Sequence, residues 1–325
     1  MPLVKSNYKK PFYLFNAHLE TIVPSALRKV EGVEYKRRRL ELPDGDFLDI
    51  DQLVHRKNND KVLIISHGLE GSSERPYVRG MAKLFYENGF DICAWNCRSC
   101  SGEMNRLPRL YHHGDTDDLH AVIKDLQQIH GYSNVFLAGL SMGGAMSLKY
   151  AGEERIDKDE HLKGVMAFSV PTDLRGSSLE LNKYGNGFYR KRFLNKLKNK
   201  IVQKRDQFSG ILDIEKLEEV QNFQDFDANF TTKISGFDSV DEFYFNASCG
   251  NFLSGIKVPS LLVNAINDPI LSQSCYPFEV AKNHEHLYLE TPETGGHVGF
   301  LLHKQIYTWS ELRALDFAKD IMNVV

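Results

Sequence analysis

The sequence predicts a doubly wound α/β fold: a mostly parallel central sheet, helices on both faces and an inserted helical segment. Three observations predict it. Short continuous apolar runs such as Val62-Leu63-Ile64-Ile65 read as strands covered on both faces. Amphipathic helical patterns alternate with these runs, as in a parallel sheet built from crossover units. The alternation stops between about Asp173 and Gly255 and then resumes, which places a block of residues between two strands of one sheet.

In chain order, an N-terminal arm over residues 1–34 precedes a core expected at about 35–172 and 256–325. Arg39–Leu42 and Phe47–Val54 flank Pro43-Asp44-Gly45-Asp46, the punctuation of an antiparallel hairpin. The basic run Lys36–Arg39 is read as a solvated face. After the Val62–Ile65 strand, a helix is expected over Pro76–Glu87, with Pro76 suited to the first turn and Gly89 to the end. Phe90–Trp95 is the next strand. A helix from about Asp117 to His130 follows, its first turn acidic, as the helix dipole favours, and closed by Gly131. Val135–Ala138, Met142–Ala151 and Val165–Val170 continue the alternation as strand, helix and strand. Ser260–Ala265 and His286–Glu290 are later strands, and a last helix runs over roughly Ser310–Met322. The inserted block, about 173–255, holds a basic stretch, Phe188–Arg205, with Leu194, Leu197 and Ile201 at helical spacing, and then an acidic stretch, Asp206–Asp227. Its position predicts a cap over the C-terminal edge of the sheet.

Composition narrows the function classes. The chain has 325 residues, 42% hydrophobic and 26% charged, enough apolar material for a large core. Lys and Arg number 40 against 43 Asp and Glu, a net charge of −3, which gives no electrostatic footprint for nucleic acid. No window reaches 18 apolar residues, so no membrane-spanning helix is expected. The apolar character of Phe12–Val23 is interrupted by Asn16, His18 and Glu20, unlike a secretory signal. The five cysteines are odd in number, and three crowd between residues 93 and 100, which does not describe a disulfide framework. These features predict a cytoplasmic protein.

The most informative motif is Gly139-Leu140-Ser141-Met142-Gly143, followed by Gly144. It directly follows an apolar strand and directly precedes a helix, the setting in which a sharp turn exposes a nucleophilic serine. The helix N-terminus would place the Met142 N–H near developing negative charge. A serine hydroxyl needs a base, and the base needs an orienting carboxylate. Asp268, in Asn267-Asp268-Pro269, and His297, in Gly295-Gly296-His297-Val298-Gly299, both follow strands and leave the same sheet edge as Ser141. Read alone, Asp268 is equally an Asx-turn residue, and a lone histidine is more often an ordinary polar group. Order, position and glycine context together single them out. His67-Gly68-Leu69-Glu70-Gly71 follows the first buried strand and fits a loop whose Leu69 N–H supplies a second oxyanion donor.

Taken together these motifs identify a family. The chain resembles the α/β-hydrolase superfamily and, within it, the YheT-like (AB-hydrolase type 4) group. The likeness rests on His18-Leu19-Glu20-Thr21-Ile22, Asp44-Gly45-Asp46-Phe47-Leu48-Asp49, the His67–Ser73 loop and Ser101-Gly102-Glu103 with Asn105-Arg106-Leu107-Pro108. Gly139–Gly144, Asn267-Asp268-Pro269 and Gly295–Phe300 complete it. The resemblance implies an α/β-hydrolase fold, a catalytic triad of Ser141, Asp268 and His297, and hydrolysis of carboxylic esters, acylglycerols or phospholipids among them. The group has Gly where this chain has Ser99, which predicts a slightly different path for that loop, and no binding role is assigned to Arg98.

Other readings of individual residues carry less. Cys93, Cys97 and Cys100 have a spacing that can ligate an iron–sulfur cluster, but Cys93 falls inside the expected strand Phe90–Trp95. His112, His113, Asp115, Asp117, Asp118 and His120 concentrate potential metal ligands; a loop followed by an acidic first helical turn is the preferred account of them. Neither a metal nor a cofactor is expected. The eight Lys and Arg of Phe188–Arg205 could meet an anionic membrane or an acidic substrate. The adjacent acidic stretch is expected to neutralise them within the cap, leaving a solvated face. The expected activity is hydrolysis of a small-molecule or lipid ester. The alternatives are thioester, lactone or amide hydrolysis, or lipid or small-ligand binding without turnover.

Overall fold

The computed structural model describes residues 3–55, 59–153, 160–208 and 210–324. Its first elements are β1 (Leu3–Val4), α1 (Ala17–Leu27), the hairpin β2 (Lys36–Glu41) and β3 (Phe47–Leu53), then β4 (Lys61–Ser66) and α2 (Pro76–Glu87). They are followed by β5 (Asp91–Asn96), α3 (Thr116–His130), β6 (Asn134–Leu140), α4 (Met142–Gly152) and β7 (Leu162–Phe168). The insertion contributes α5 (Leu174–Glu180), α6 (Gly187–Gln203), the short α7 (Phe223–Phe226) and α8 (Thr232–Ser235), and α9 (Val240–Ala247). The core resumes with β8 (Ser260–Val263), α10 (Phe278–Lys282), β9 (Leu287–Glu290) and α11 (Trp309–Val324). Among the described residues no helix is long and apolar enough to cross a membrane.

The strands form one nine-stranded sheet in the order β1-β9-β8-β7-β6-β4-β5-β3-β2. Its pairs are parallel except β2 with β3 and β3 with β5. The fold class expected from the sequence is therefore the one observed. Covering on both faces explains the continuous apolar runs. Val62, Ile64, Val135, Leu137 and Val165 pack with α3 and α4 on one face. Leu63, Ile65, Phe136, Ala138 and Met166 pack with α2 and α11 on the other. Because side chains alternate along a strand, a strand buried on both sides must be apolar at every position.

Three details depart from the sequence reading. The sheet takes in the N-terminal arm, since Leu3 and Val4 pair in parallel with Leu289 and Glu290. The Lys36–Arg39 run is not merely solvated. Arg37 pairs with Asp51 at 2.7 Å and Arg39 with Asp49 at 2.9 Å across the hairpin, and Arg38 reaches Asp125 of α3. Ser99 adopts φ 61°, a left-handed backbone that glycine takes at least cost, so the loop keeps a glycine-like path; the Asn105 N–H donates to its hydroxyl at 3.1 Å. Beside it, Arg98 is buried and holds Asp44, Asp46 and Asp118, each at 2.8 Å. Its work is structural.

Three of the residues flagged as potential metal ligands are likewise engaged. Asp118 takes Arg98 in two hydrogen bonds of 2.8 Å, Asp115 takes Arg109 at 2.6 Å, and His120 meets the Tyr150 hydroxyl at 2.9 Å. Cys93 lies inside β5. Among the described residues no group of His, Cys, Asp or Glu is arranged to hold a metal.

Candidate active site

Four loops meet at the C-terminal edge of the sheet, those after β4, β6, β8 and β9. The turn after β6 is dictated by its glycines. Ser141 has φ 56° and ψ −120°, a strained conformation that aims its side chain out of the turn. A Cβ on Gly139 would lie 2.2 Å from the Gly143 carbonyl oxygen, and one on Gly143 would lie 2.1 Å from the Ser66 carbonyl oxygen. No side chain fits at either flank, so the chain can turn this tightly only with glycine there.

His297 and Asp268 are brought to this turn from the loops after β9 and β8. The His297 Nε2 stands 2.9 Å from Ser141 Oγ, and its Nδ1 stands 2.8 Å from Asp268 Oδ2. Both the imidazole and the carboxylate are buried. The other carboxylate oxygen, Asp268 Oδ1, accepts the Ile270 N–H at 2.9 Å. The two readings of Asp268 thus coexist, one on each oxygen.

The loop after β4 faces the same serine, with Gly68 packed against Leu140 and Ser141. His67 is buried, and burial lowers its pKa to about 4, so it is neutral near pH 7. The Cys97 N–H donates to its Nε2 at 3.1 Å, which leaves the proton on Nδ1 to donate to the Gly68 carbonyl at 2.8 Å. The Gly71 N–H donates to the same carbonyl at 2.9 Å. In a trans peptide the N–H points opposite to the C=O, so fixing the Gly68 carbonyl fixes the direction of the Leu69 N–H. Among the described residues neither the Leu69 nor the Met142 N–H has a hydrogen-bond partner. Two donors beside a strained serine are thereby left open.

The sequence reading assigned no function to α1, yet α1 holds the histidine loop. Four successive backbone N–H groups of that loop each donate to a side chain. Gly295 donates to Glu20 Oε2 at 2.5 Å, Gly296 to Asn267 Oδ1 at 3.1 Å, His297 to Thr21 Oγ1 at 2.9 Å and Val298 to Ser169 Oγ at 2.8 Å. Glu20, fully buried, also accepts from Asn267 Nδ2 at 3.1 Å. One carboxylate from the N-terminal arm therefore ties the loop of Asp268 to the loop of His297. The His18–Ile22 motif was visible in the sequence, but nothing local there points to a partner more than 240 residues away.

Two recesses share Leu69, Ser141, Phe193, Ile270 and His297 in their walls. One runs beneath the insertion and is largely apolar, lined by Leu174, Leu181, Phe223, Phe226, Ile234 and Phe243 among others. His112 and His113 in its wall are uncharged near neutral pH, because burial lowers both pKa values to about 3. The other opens beside α1, α2 and α6 and is lined by Arg28, Arg75, Arg192 and Lys196.

A family model of the α/β hydrolase fold matches residues 61–304. The chain belongs to the α/β-hydrolase family. Within this α/β-hydrolase family it is 32% identical over 310 residues to "Putative esterase YheT" of Escherichia coli (strain K12), covering 93% of this chain and 90% of that one. It is 27% identical over 308 residues to the bovine phospholipase ABHD3, covering 92% and 74%. It is 28% identical over 296 residues to the monoacylglycerol lipase of Saccharomyces cerevisiae, covering 88% and 64%. Among solved structures, the Pyrococcus furiosus esterase Pf2001 superposes with a TM-score of 0.57 at 19% identity, covering 91% of this α/β-hydrolase and 96% of that chain.

Proposed function

We propose that this α/β-hydrolase cleaves carboxylic esters through a covalent acyl-enzyme. The observation that carries the reading is the pair of contacts at His297, 2.9 Å to Ser141 Oγ and 2.8 Å to Asp268 Oδ2. Ser141 Oγ attacks the ester carbonyl as its proton passes to His297 Nε2, giving a tetrahedral oxyanion. The oxyanion is held by the Leu69 and Met142 N–H groups, each worth about 3–4 kcal/mol by precedent. Collapse breaks the bond to the alcohol oxygen, which takes the proton from His297 and leaves. Water then gives a proton to His297, adds to the acyl carbonyl, and releases the acid with Ser141 restored. Asp268 keeps the Nδ1–H tautomer in place and stabilises the imidazolium. No step draws on a cofactor or a metal.

Residues 173–255 act as the cap, and the apolar recess beneath them receives the acyl chain. The names of the esterase, phospholipase and monoacylglycerol lipase relatives support ester over thioester, lactone or amide. All five cysteines are free, which supports a reducing compartment such as the cytoplasm.

A fluorophosphonate probe tests the reading directly. The wild-type chain should become covalently labelled and Ser141→Ala should not. Equal labelling of both would remove Ser141 as nucleophile. Turnover of p-nitrophenyl esters of increasing chain length would then report the depth of the acyl recess.

A further inference from the structure

The recess beside α1 has an unbalanced charge. It is lined by four cationic side chains and by no carboxylate. Arg28 is neutralised by Glu311 through hydrogen bonds of 2.6 and 2.8 Å. The remaining three have no such partner: among the described residues Arg75, Arg192 and Lys196 make no ion pair. Lys196 Nζ donates at 3.1 Å, and Arg75 at 3.4 Å, to one and the same backbone carbonyl, that of Glu70. The Glu70 carboxylate itself is committed elsewhere, to Lys200 at 2.8 Å and the Tyr111 hydroxyl at 2.6 Å. Burial lowers the Lys196 pKa, the positive charges of Arg75, Arg192 and Lys200 lower it further and the Glu70 carboxylate opposes them, which places both arginines within the field of Lys196.

The sequence led us to expect that the acidic stretch Asp206–Asp227 neutralises the basic helix. It does not. Among the described residues no ion pair joins α6 to that stretch. Instead Lys200 and Lys204 turn toward the core, Lys204 donating to Asn105 at 2.7 Å, and Arg192 and Lys196 are left facing the recess. Three clustered cations without an ion-pair partner of their own are electrostatically unfavourable and become favourable when an anion occupies the space between them.

Resting on the hydrolase reading above, we propose that the alcohol part of the substrate ester carries a net-negative phosphate group, bound by Arg75, Arg192 and Lys196 while the acyl chain lies in the apolar recess on the other side of Ser141. A choline-type headgroup fits less well, because its ammonium would enter a recess lined by three unpaired cations and no carboxylate. The recess thus selects a phosphate monoester, or a diester without a compensating cation, over a neutral or zwitterionic alcohol.

Three esters with one acyl chain test this: 1-octanoyl-glycerol 3-phosphate, 1-octanoyl-glycerol and 1-octanoyl-glycerophosphocholine, each below the concentration at which it forms micelles. The wild-type chain should favour the phosphate ester over both others in kcat/KM by about tenfold or more, as two or three charge-assisted contacts imply. Free glycerol 3-phosphate should compete with it. Changing Arg192→Gln and Lys196→Gln together should collapse the ratio mainly through KM, with fluorophosphonate labelling of Ser141 showing that the variant is folded. Equal or better turnover of the neutral or choline ester by the wild type, or an unchanged ratio in the double variant, would overturn the phosphate subsite and leave the hydrolase reading standing. No hydrolysis of any ester and no labelling would overturn the hydrolase reading, and the subsite with it.

Discussion

The Asp268 carboxylate is divided between two partners, with Oδ1 accepting the Ile270 N–H at 2.9 Å and Oδ2 facing His297 Nδ1 at 2.8 Å. The first contact fixes the carboxylate's direction, so the second does not depend on the histidine to hold it. Changing Asp268→Asn should retain a turn through the amide oxygen but present either a second donor or an uncharged acceptor to Nδ1. The expected loss in kcat is about 10⁴-fold, with the unfolding midpoint little changed. A variant that kept most of its activity would show that Asp268 serves the turn alone.

Thr21 and His297 make a second testable relationship, since the Thr21 hydroxyl accepts the His297 N–H at 2.9 Å and itself donates to the Ala17 carbonyl at 2.8 Å. Thr21→Val keeps the volume and removes the acceptor. A histidine loop displaced by about 1 Å should cost up to about 10²-fold in kcat, with KM nearly constant. Thr21→Ser restores the hydroxyl and should restore kcat. If valine and serine behave alike, the contact does not position the base.

The elbow glycines should be intolerant of any side chain. A Cβ on Gly143 would lie 2.1 Å from the Ser66 carbonyl oxygen and 2.7 Å from that of His67, both backbone atoms of the neighbouring loop. Gly143→Ala should therefore destabilise by about 3 kcal/mol, read as a lowered urea midpoint, and should slow probe labelling by shifting the Leu69 loop. An unchanged midpoint would mean that the loop moves freely.

His67 should make stability fall with acid. Its folded pKa is about 4, below the ordinary value of 6.5, because burial disfavours the charged ring. The unfolded chain therefore binds a proton that the folded chain refuses. This contribution is complete above about pH 6.5 and is lost progressively as pH falls from there toward 4. At pH 5 the loss amounts to about 2 kcal/mol. Urea unfolding at pH 7 and pH 5 should show His67→Gln losing less stability over that interval than the wild type; equal losses would mean that His67 does not carry the dependence.

The sequence alone determined the sheet, because a strand covered on both faces must be apolar at every residue, and Val62–Ile65 and Val135–Ala138 say so without any partner in view. It also determined the turn at Ser141, since glycine on both sides of a serine between strand and helix is a local requirement, and it brought forward Asp268 and His297 through their place at strand ends. The tertiary structure decided what holds these groups and what surrounds them. That Glu20 would join two loops near residues 267 and 295, that Ser99 would accept a glycine's backbone angle, and that Arg192 and Lys196 would face a recess instead of the acidic stretch beside them are matters of distance between remote segments. Periodicity records which side of an element is buried. It does not record which distant charge or donor the fold sets against it.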